Sequence, residues 1–264
     1  MALRTLDRRN SLDWGRRRRR RLPSLRAVLI VLLVLLVLAV AGAVVQLTRS
    51  VPALSFVGDA PATFVVPGTP PALPWPKGGE ATVAVAGVGT LGASGSGAPV
   101  PVASLTKVMT AYVIMADHPL APGSQGPSLT MTAADVAGYA FGVAQNQSVA
   151  RVAAGEHITE HQALEAALVA SANNVAVALA RWDAGSEAAF VQKMNAEAAR
   201  LGMTATHYSD STGLSGASMS NATDQVVLAE RAMANPVFAA IVGEASVDLP
   251  VAGTLYKAAV RLLG

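Results

Sequence analysis

The sequence contains no cysteine, so it does not rely on disulfides, which fits an exported protein. It contains no internal repeat, which excludes a solenoid, and its 264 residues with 52% hydrophobic content are enough for one substantial folded core. It also contains one long stretch without charge. Ala27–Val45 is nineteen residues lacking any ionisable or strongly hydrogen-bonding side chain, close to the length a helix needs to cross the hydrocarbon core.

The formal net charge of +3 hides an uneven distribution. Residues 1–26 hold ten arginines against Asp7 and Asp13, whereas the remainder carries ten basic and fifteen acidic residues. The run Arg16–Arg21 resembles a nucleic-acid patch in isolation, but its place beside an apolar stretch points to membrane topology and no nucleic-acid partner. A basic flank of this kind orients the N-terminus inward. Ala39-Val-Ala41 offers small residues of the cleavable type, while the long Leu/Val-rich core favours a retained anchor.

These features predict a basic cytoplasmic tail over 1–26, a single-pass signal-anchor helix over 27–47, and an extracytoplasmic spacer over 48–80. The spacer is rich in Pro and Gly, which disfavour both helix and central strand. A folded domain over 81–264 follows. Within it, Ala81–Val88 reads as a buried strand and Gly92–Val102 as a turn back. Ser104–Met115 reads as a mostly buried helix with a stripe of Leu105, Val108, Met109, Tyr112 and Val113. A second helical region starts at Thr159, which can form a capping box with Gln162, breaks at Ser171–Asn174 and resumes to about Trp182. Ser186 caps a third helix that stops at Gly202, and Thr223–Ala234 is a fourth. Gln147–Val152 and Ser246–Val251 are candidate strands. Strands flanking a helical middle predict an α/β (α+β) domain with a helical subdomain.

Three patterns compete for chemistry. Gly87-Val-Gly89-Thr-Leu-Gly92 has the spacing of a dinucleotide fingerprint, yet no helix begins at its third glycine and no acidic residue follows about twenty positions on. A hairpin turn is the expectation there. His157-Ile-Thr-Glu-His161 matches a zinc-peptidase pattern that needs both imidazoles on one helical face, but the cap at Thr159 puts His157 before the helix. These are expected to be surface and cap residues, with no metal bound.

The third pattern is Ser104-x-x-Lys107. Residues three apart share a helix face, so the ammonium can lie beside the hydroxyl. Lysine removes the serine proton only when neutral, which requires burial, and Val102, Leu105 and Val108 could supply it. A serine in a first helical turn also offers its own N–H to a developing oxyanion. Ser171-Ala-Asn173 falls in the predicted break between two helices. Its hydroxyl can relay protons, and its amide can hold the lysine and a substrate carbonyl.

With ASLTKVMT and SANN in place, the stretch from Ala81 to Gly264 resembles the low-molecular-mass D-alanyl-D-alanine carboxypeptidases. These are serine peptidases of the penicillin-binding and β-lactamase superfamily. The resemblance includes LGMTATHYSDSTGLSGASMSNATDQVVLAERAM. It implies an antiparallel sheet with a helical subdomain, no cofactor, and an acyl-enzyme formed by Ser104 on peptidoglycan stem peptides ending in D-Ala-D-Ala. Lys107 would be the base, Ser171 the relay and Asn173 the orienting amide, with β-lactams as inhibitors of the same serine. A serine β-lactamase would need a Glu-x-x-x-Asn loop, and none occurs between Asn173 and Gly264.

The family's third motif, Lys-Thr-Gly, is not in the sequence, although Gly253–Lys257 and Arg261–Gly264 resemble the approach to its strand. A domain incomplete at the C-terminus is therefore expected. The alternative reading is a catalytically impaired or inactive peptidoglycan-binding relic.

Overall fold

A computed structural model describes residues 25–49 and 72–257. Most of the expected basic tail, residues 50–71 of the expected spacer, and 258–264 lie outside the described residues. The chain divides into two units, Met1–Pro67 and Gly68–Gly264.

In the first unit, Leu25–Thr48 forms one helix, α1, with neither acid in its first turn nor base in its last. Its apolar span, Val28–Thr48, is 21 residues long with a mean hydropathy of 3.4. At 1.5 Å per residue that span rises about 32 Å, the thickness of a bilayer's hydrocarbon core.

The second unit opens with the antiparallel hairpin β1 (Ala81–Val85) and β2 (Gly89–Ser94). The glycine-rich fingerprint spacing is thus the hairpin expected from its context. Gly87 and Gly89 take φ of +76° and +117°, which a residue with a Cβ rarely adopts. The strand predicted to Val88 ends at Val85, and part of the predicted return is the paired strand β2.

After β3 (Val100–Pro101), a single 3-10 turn at Ala103–Leu105 leads into α2 (Thr106–Asp117). This helix is the centre of the core. Met109, Ala111, Val113, Ile114 and Met115 are all buried, so it is apolar on most faces rather than along one stripe. Leu105, assigned to that stripe by periodicity, is instead 54% exposed, because the 3-10 turn aims it away from the helix axis.

Next come β4 (Ser128–Thr130), α3 (Ala133–Ala144) and β5 (His157–Thr159), with β4 and β5 paired antiparallel. Helix α4 (Glu160–Leu168) starts at the Thr159–Gln162 capping box read from sequence. Helix α5 (Asn173–Ala184) then packs on it; both helices carry buried alanines, Ala163, Ala166 and Ala167 on α4 and Ala176 and Ala180 on α5, small residues that permit close packing. Helix α6 (Glu187–Arg200) is capped by the Ser186 hydroxyl, which accepts from the Ala189 N–H, and Gly202 follows it with φ +75°. The remaining elements are β6 (Met219–Ser220), α7 (Ala222–Met233), α8 (Pro236–Gly243), β7 (Ser246–Leu249) and β8 (Gly253–Tyr256). Strand β6 pairs with β3, and β7 with β8. Every pairing is antiparallel, and among the described residues the strands form four two-stranded sheets around the helices.

One predicted strand is absent. Gln147–Val152 runs without strand pairing because its polar backbone is taken up by the start of α5. The Asn174 amide accepts from the Ala150 N–H at 3.0 Å and donates to the Ala150 carbonyl at 2.8 Å, while the Asn173 N–H donates to the Ser148 carbonyl at 2.9 Å. A side chain here does the work of a neighbouring strand. Asn174 is 7% exposed, so its replacement strands two buried backbone groups. Asn174→Ala is expected to lower the unfolding free energy by about 2–4 kcal/mol, measured by urea unfolding in detergent, with α1 unaffected.

Candidate active site

Three segments meet at one point: the 3-10 turn and first turn of α2, the break between α4 and α5, and the turn at residues 210–215. Ser104 lies in the 3-10 turn, two residues before the helix predicted to begin at it. The spacing to Lys107 still works. The Lys107 ammonium donates to Ser104 Oγ at 3.2 Å, to Ser171 Oγ at 3.3 Å and to the Thr212 carbonyl at 3.0 Å. Ser171 Oγ in turn donates to Ser104 Oγ at 3.1 Å. Two hydroxyls and one ammonium thus form a closed triangle, and all three ammonium protons have acceptors.

Exposure divides the roles. Ser104 is exposed, whereas Lys107 is 2% exposed and ranks among the largest fully buried side chains. Burial penalises the ammonium and pulls Lys107 from its ordinary 10.5 down to about 8, against the opposing pull of the Asp210 carboxylate. Of the apolar neighbours expected to supply that desolvation, Val102, Leu105 and Val108, Val102 is buried and Leu105 is exposed. Because the folded-state value is depressed, the ammonium's burial weighs against folding below about pH 8. That cost shrinks as the pH climbs towards the ordinary value.

The backbone around the two hydroxyls is held in a left-handed conformation. Ala103, next to Ser104, has φ +46°, and Ser171 has φ +55°. Non-glycine residues there cost on the order of 1–3 kcal/mol each, and such strain concentrates at functional sites. Packing against Gly213 (φ +80°) accompanies the first of these: a Cβ at 213 would collide with the Ala103 carbonyl and crowd Thr106 Oγ1.

Asn173 sits two residues beyond Ser171, at the start of α5, and is 6% exposed. Its amide faces Gln147, with Nδ2 3.5 Å from Gln147 Oε1, and the lysine contact expected of it is made by the Thr212 carbonyl instead. Beside the triangle, a cavity of about 300 Å³ is lined by Phe141, Gln147, Asn173, Asp210, Thr212 and Leu214. Asn173 therefore faces space that a ligand can enter.

The residues that sequence reasoning missed are Asp210, Thr212 and Gly213. Thr212 contributes a main-chain atom, which residue type does not advertise. The signal that was present is Asp210-Ser-Thr-Gly213, an acid and a glycine with turn spacing inside the stretch already singled out.

The other candidates separate. His157 is exposed on β5 with Nδ1 3.1 Å from Thr130 Oγ1, and His161 lies on α4 with Nδ1 3.5 Å from Glu165. Glu160, expected at the surface, is fully buried, and burial pushes its carboxyl up to about 7. Among the described residues no three His, Asp or Glu side chains gather as a metal site.

The D-alanyl-D-alanine carboxypeptidase family matches residues 90–248. A D-alanyl-D-alanine carboxypeptidase of Streptomyces sp. strain K15 is 31% identical over 210 residues, covering 76% of this chain and 68% of that protein. The carboxypeptidase DacB2 of Mycobacterium tuberculosis is 43% identical over 99 residues, 36% of this chain. A D-alanyl-D-alanine endopeptidase of Pseudomonas aeruginosa is 37% identical over 125 residues, 47% of this chain. The matches to these last two span only 34% and 37% of their lengths. Among solved structures, penicillin binding protein 6B from Escherichia coli superposes with a TM-score of 0.65 at 26% identity, covering 74% of this chain and 62% of that one. A mutant of the Streptomyces K15 DD-transpeptidase gives 0.59 at 25% identity, over 68% and 73%.

Gly213→Ala is expected to force the 210–215 turn off the Ala103 carbonyl. The unfolding midpoint should drop by an amount corresponding to about 2 kcal/mol or more, and the drop should exceed that of Gly216→Ala, whose Cβ would meet open space. Thermal unfolding of the two variants side by side checks this.

Proposed function

Because this chain belongs to the D-alanyl-D-alanine carboxypeptidase family, we propose that it removes the terminal D-alanine from peptidoglycan stem peptides through an acyl-enzyme on Ser104. The observation that carries this reading is the buried Lys107 ammonium within hydrogen-bond distance of two hydroxyls, one of them exposed.

The chemistry follows from that triangle. Neutral Lys107 takes the Ser104 proton as Oγ bonds to the penultimate D-alanine carbonyl carbon. The tetrahedral centre collapses with cleavage of the C–N bond, and the proton passes from Lys107 through Ser171 to the leaving amine of D-alanine. Water then attacks the ester, giving its proton to the same base and returning Ser104. Asn173, on the wall of the cavity, orients the peptide amide of the substrate. A β-lactam presents the same kind of amide carbonyl to Ser104 but keeps its leaving amine tethered, so it remains as a stable acyl adduct.

The membrane half of the reading rests on α1. Its length and hydropathy suit a single span, and an arginine-rich flank of this kind supports a cytoplasmic N-terminus with the catalytic unit on the outer side of the cell membrane. The reading as an inactive peptidoglycan-binding relic is not favoured, since the triangle is assembled and the relatives are named for activity.

Fluorescent penicillin added to membranes containing the chain should label one band, and Ser104→Ala should abolish it. Lys107→Met should slow labelling by about 10²–10⁴-fold. The wild-type rate should climb as the pH rises through about 8 and level off above it, because acylation requires Lys107 unprotonated. A rate flat across this range removes Lys107 as the base.

A further inference from the structure

We propose that Asp210 is a positioning residue of this site: its carboxylate folds the 210–215 turn onto α2, so that the Thr212 carbonyl holds the Lys107 ammonium beside Ser104. The assignment rests on the reading of Lys107 as the base.

The carboxylate is bonded on both oxygens. Oδ2 accepts from Thr212 Oγ1 at 2.6 Å, from the Leu214 N–H at 2.9 Å and from the Ser215 N–H at 3.3 Å, while Oδ1 accepts from Ser218 Oγ at 2.6 Å. Burial opposes the charge, but these donors outweigh it and hold the carboxyl below its ordinary value, so Asp210 is ionised wherever the site works. A short acidic side chain closing onto the amides that follow it is the natural organiser of such a turn.

Two further contacts dock the turn. The Thr110 hydroxyl, one helical turn along α2 from Lys107, donates to the Ser211 carbonyl at 2.7 Å. The Val102 N–H donates to the Ser218 carbonyl at 3.1 Å, and Ser218 is also bonded to Asp210. The network therefore runs from Val102, at the head of the turn that carries Ser104, through Ser218 and Asp210 to the carbonyl on Lys107. Glu187 of α6 also grips this turn, through the Ser211 N–H at 3.0 Å and hydroxyl at 2.6 Å. Arg181, nearby on the cavity wall, is neutralised by Asp135 at 2.8 Å. Asp210 is the carboxylate whose charge bears on Lys107, favouring its protonated form.

The charge and the tether thus act in the same direction, against the burial that lowers the lysine. A residue that only stabilised the fold would leave the lysine's titration unchanged. The chain has four lysines, Lys77, Lys107, Lys193 and Lys257, so full-length protein in detergent with 13C-labelled lysine shows four Cε signals. The signal lost in Lys107→Met assigns the relevant one. In Asp210→Asn the Lys107 midpoint is expected to fall by about half a pH unit or more, while Asp210→Glu retains the wild-type value. Thr212→Val, which removes one bond to the carboxylate and keeps the carbonyl, is expected to shift it in the same direction by less. An unchanged midpoint in folded Asp210→Asn overturns the assignment; should that variant fail to fold, an unchanged midpoint in Thr212→Val does so. The titration needs no turnover. A chain that shows these shifts but takes no penicillin refutes the acylation reading and leaves the Asp210 assignment standing.

Discussion

The structure is organised around one ammonium buried where water cannot serve it. Lys107 has its three protons shared among Ser104, Ser171 and the Thr212 carbonyl, and those partners come from segments up to 105 residues away in sequence. A buried lysine without acceptors would carry a severe desolvation penalty. The partners lower the penalty without removing it, which leaves an ammonium that gives up its proton far more easily than that of a surface lysine.

That requirement shapes the backbone nearby. Bringing two hydroxyls onto one nitrogen puts Ala103 and Ser171 into left-handed conformations, and it admits only glycine at 213. The strain is tolerable because α2, which carries Lys107, is packed on several sides and cannot shift to relieve it. Helices α4 and α5 pack on each other and both pack on α2, so the break between them, which holds Ser171 just before Asn173 opens α5, is kept close to α2. Rigidity in the core and strain at the site are two sides of the same arrangement.

Much of this was legible in residue order. The capping signals at Thr159 and Ser186 and the hairpin at Gly87–Gly92 are local and appear where their residues put them, while the break expected at Ser171–Asn174 falls two residues earlier, at 169–172, with Asn173 opening α5. The failures are non-local. Gln147–Val152 has strand composition, but the Asn174 amide takes its backbone partners, and nothing within that segment reveals it. Helix α3 was not foreseen, though Thr132 and Asp135 form a capping box of the same kind as the one recognised at Thr159. Leu105 fits a helical stripe by period and points out by geometry, because the 3-10 turn changes the rotation per residue.

Residue order alone accounts for the elements whose causes lie within a few residues: the apolar span of α1, the caps, and the Ser-x-x-Lys spacing that puts an ammonium beside a hydroxyl. Only the tertiary structure decided the third acceptor on Lys107 and the carboxylate behind it. The reason is physical. A main-chain carbonyl has no residue-type signature, and the depression of a lysine's proton affinity comes from the whole shell that excludes water, which no short stretch of chain contains.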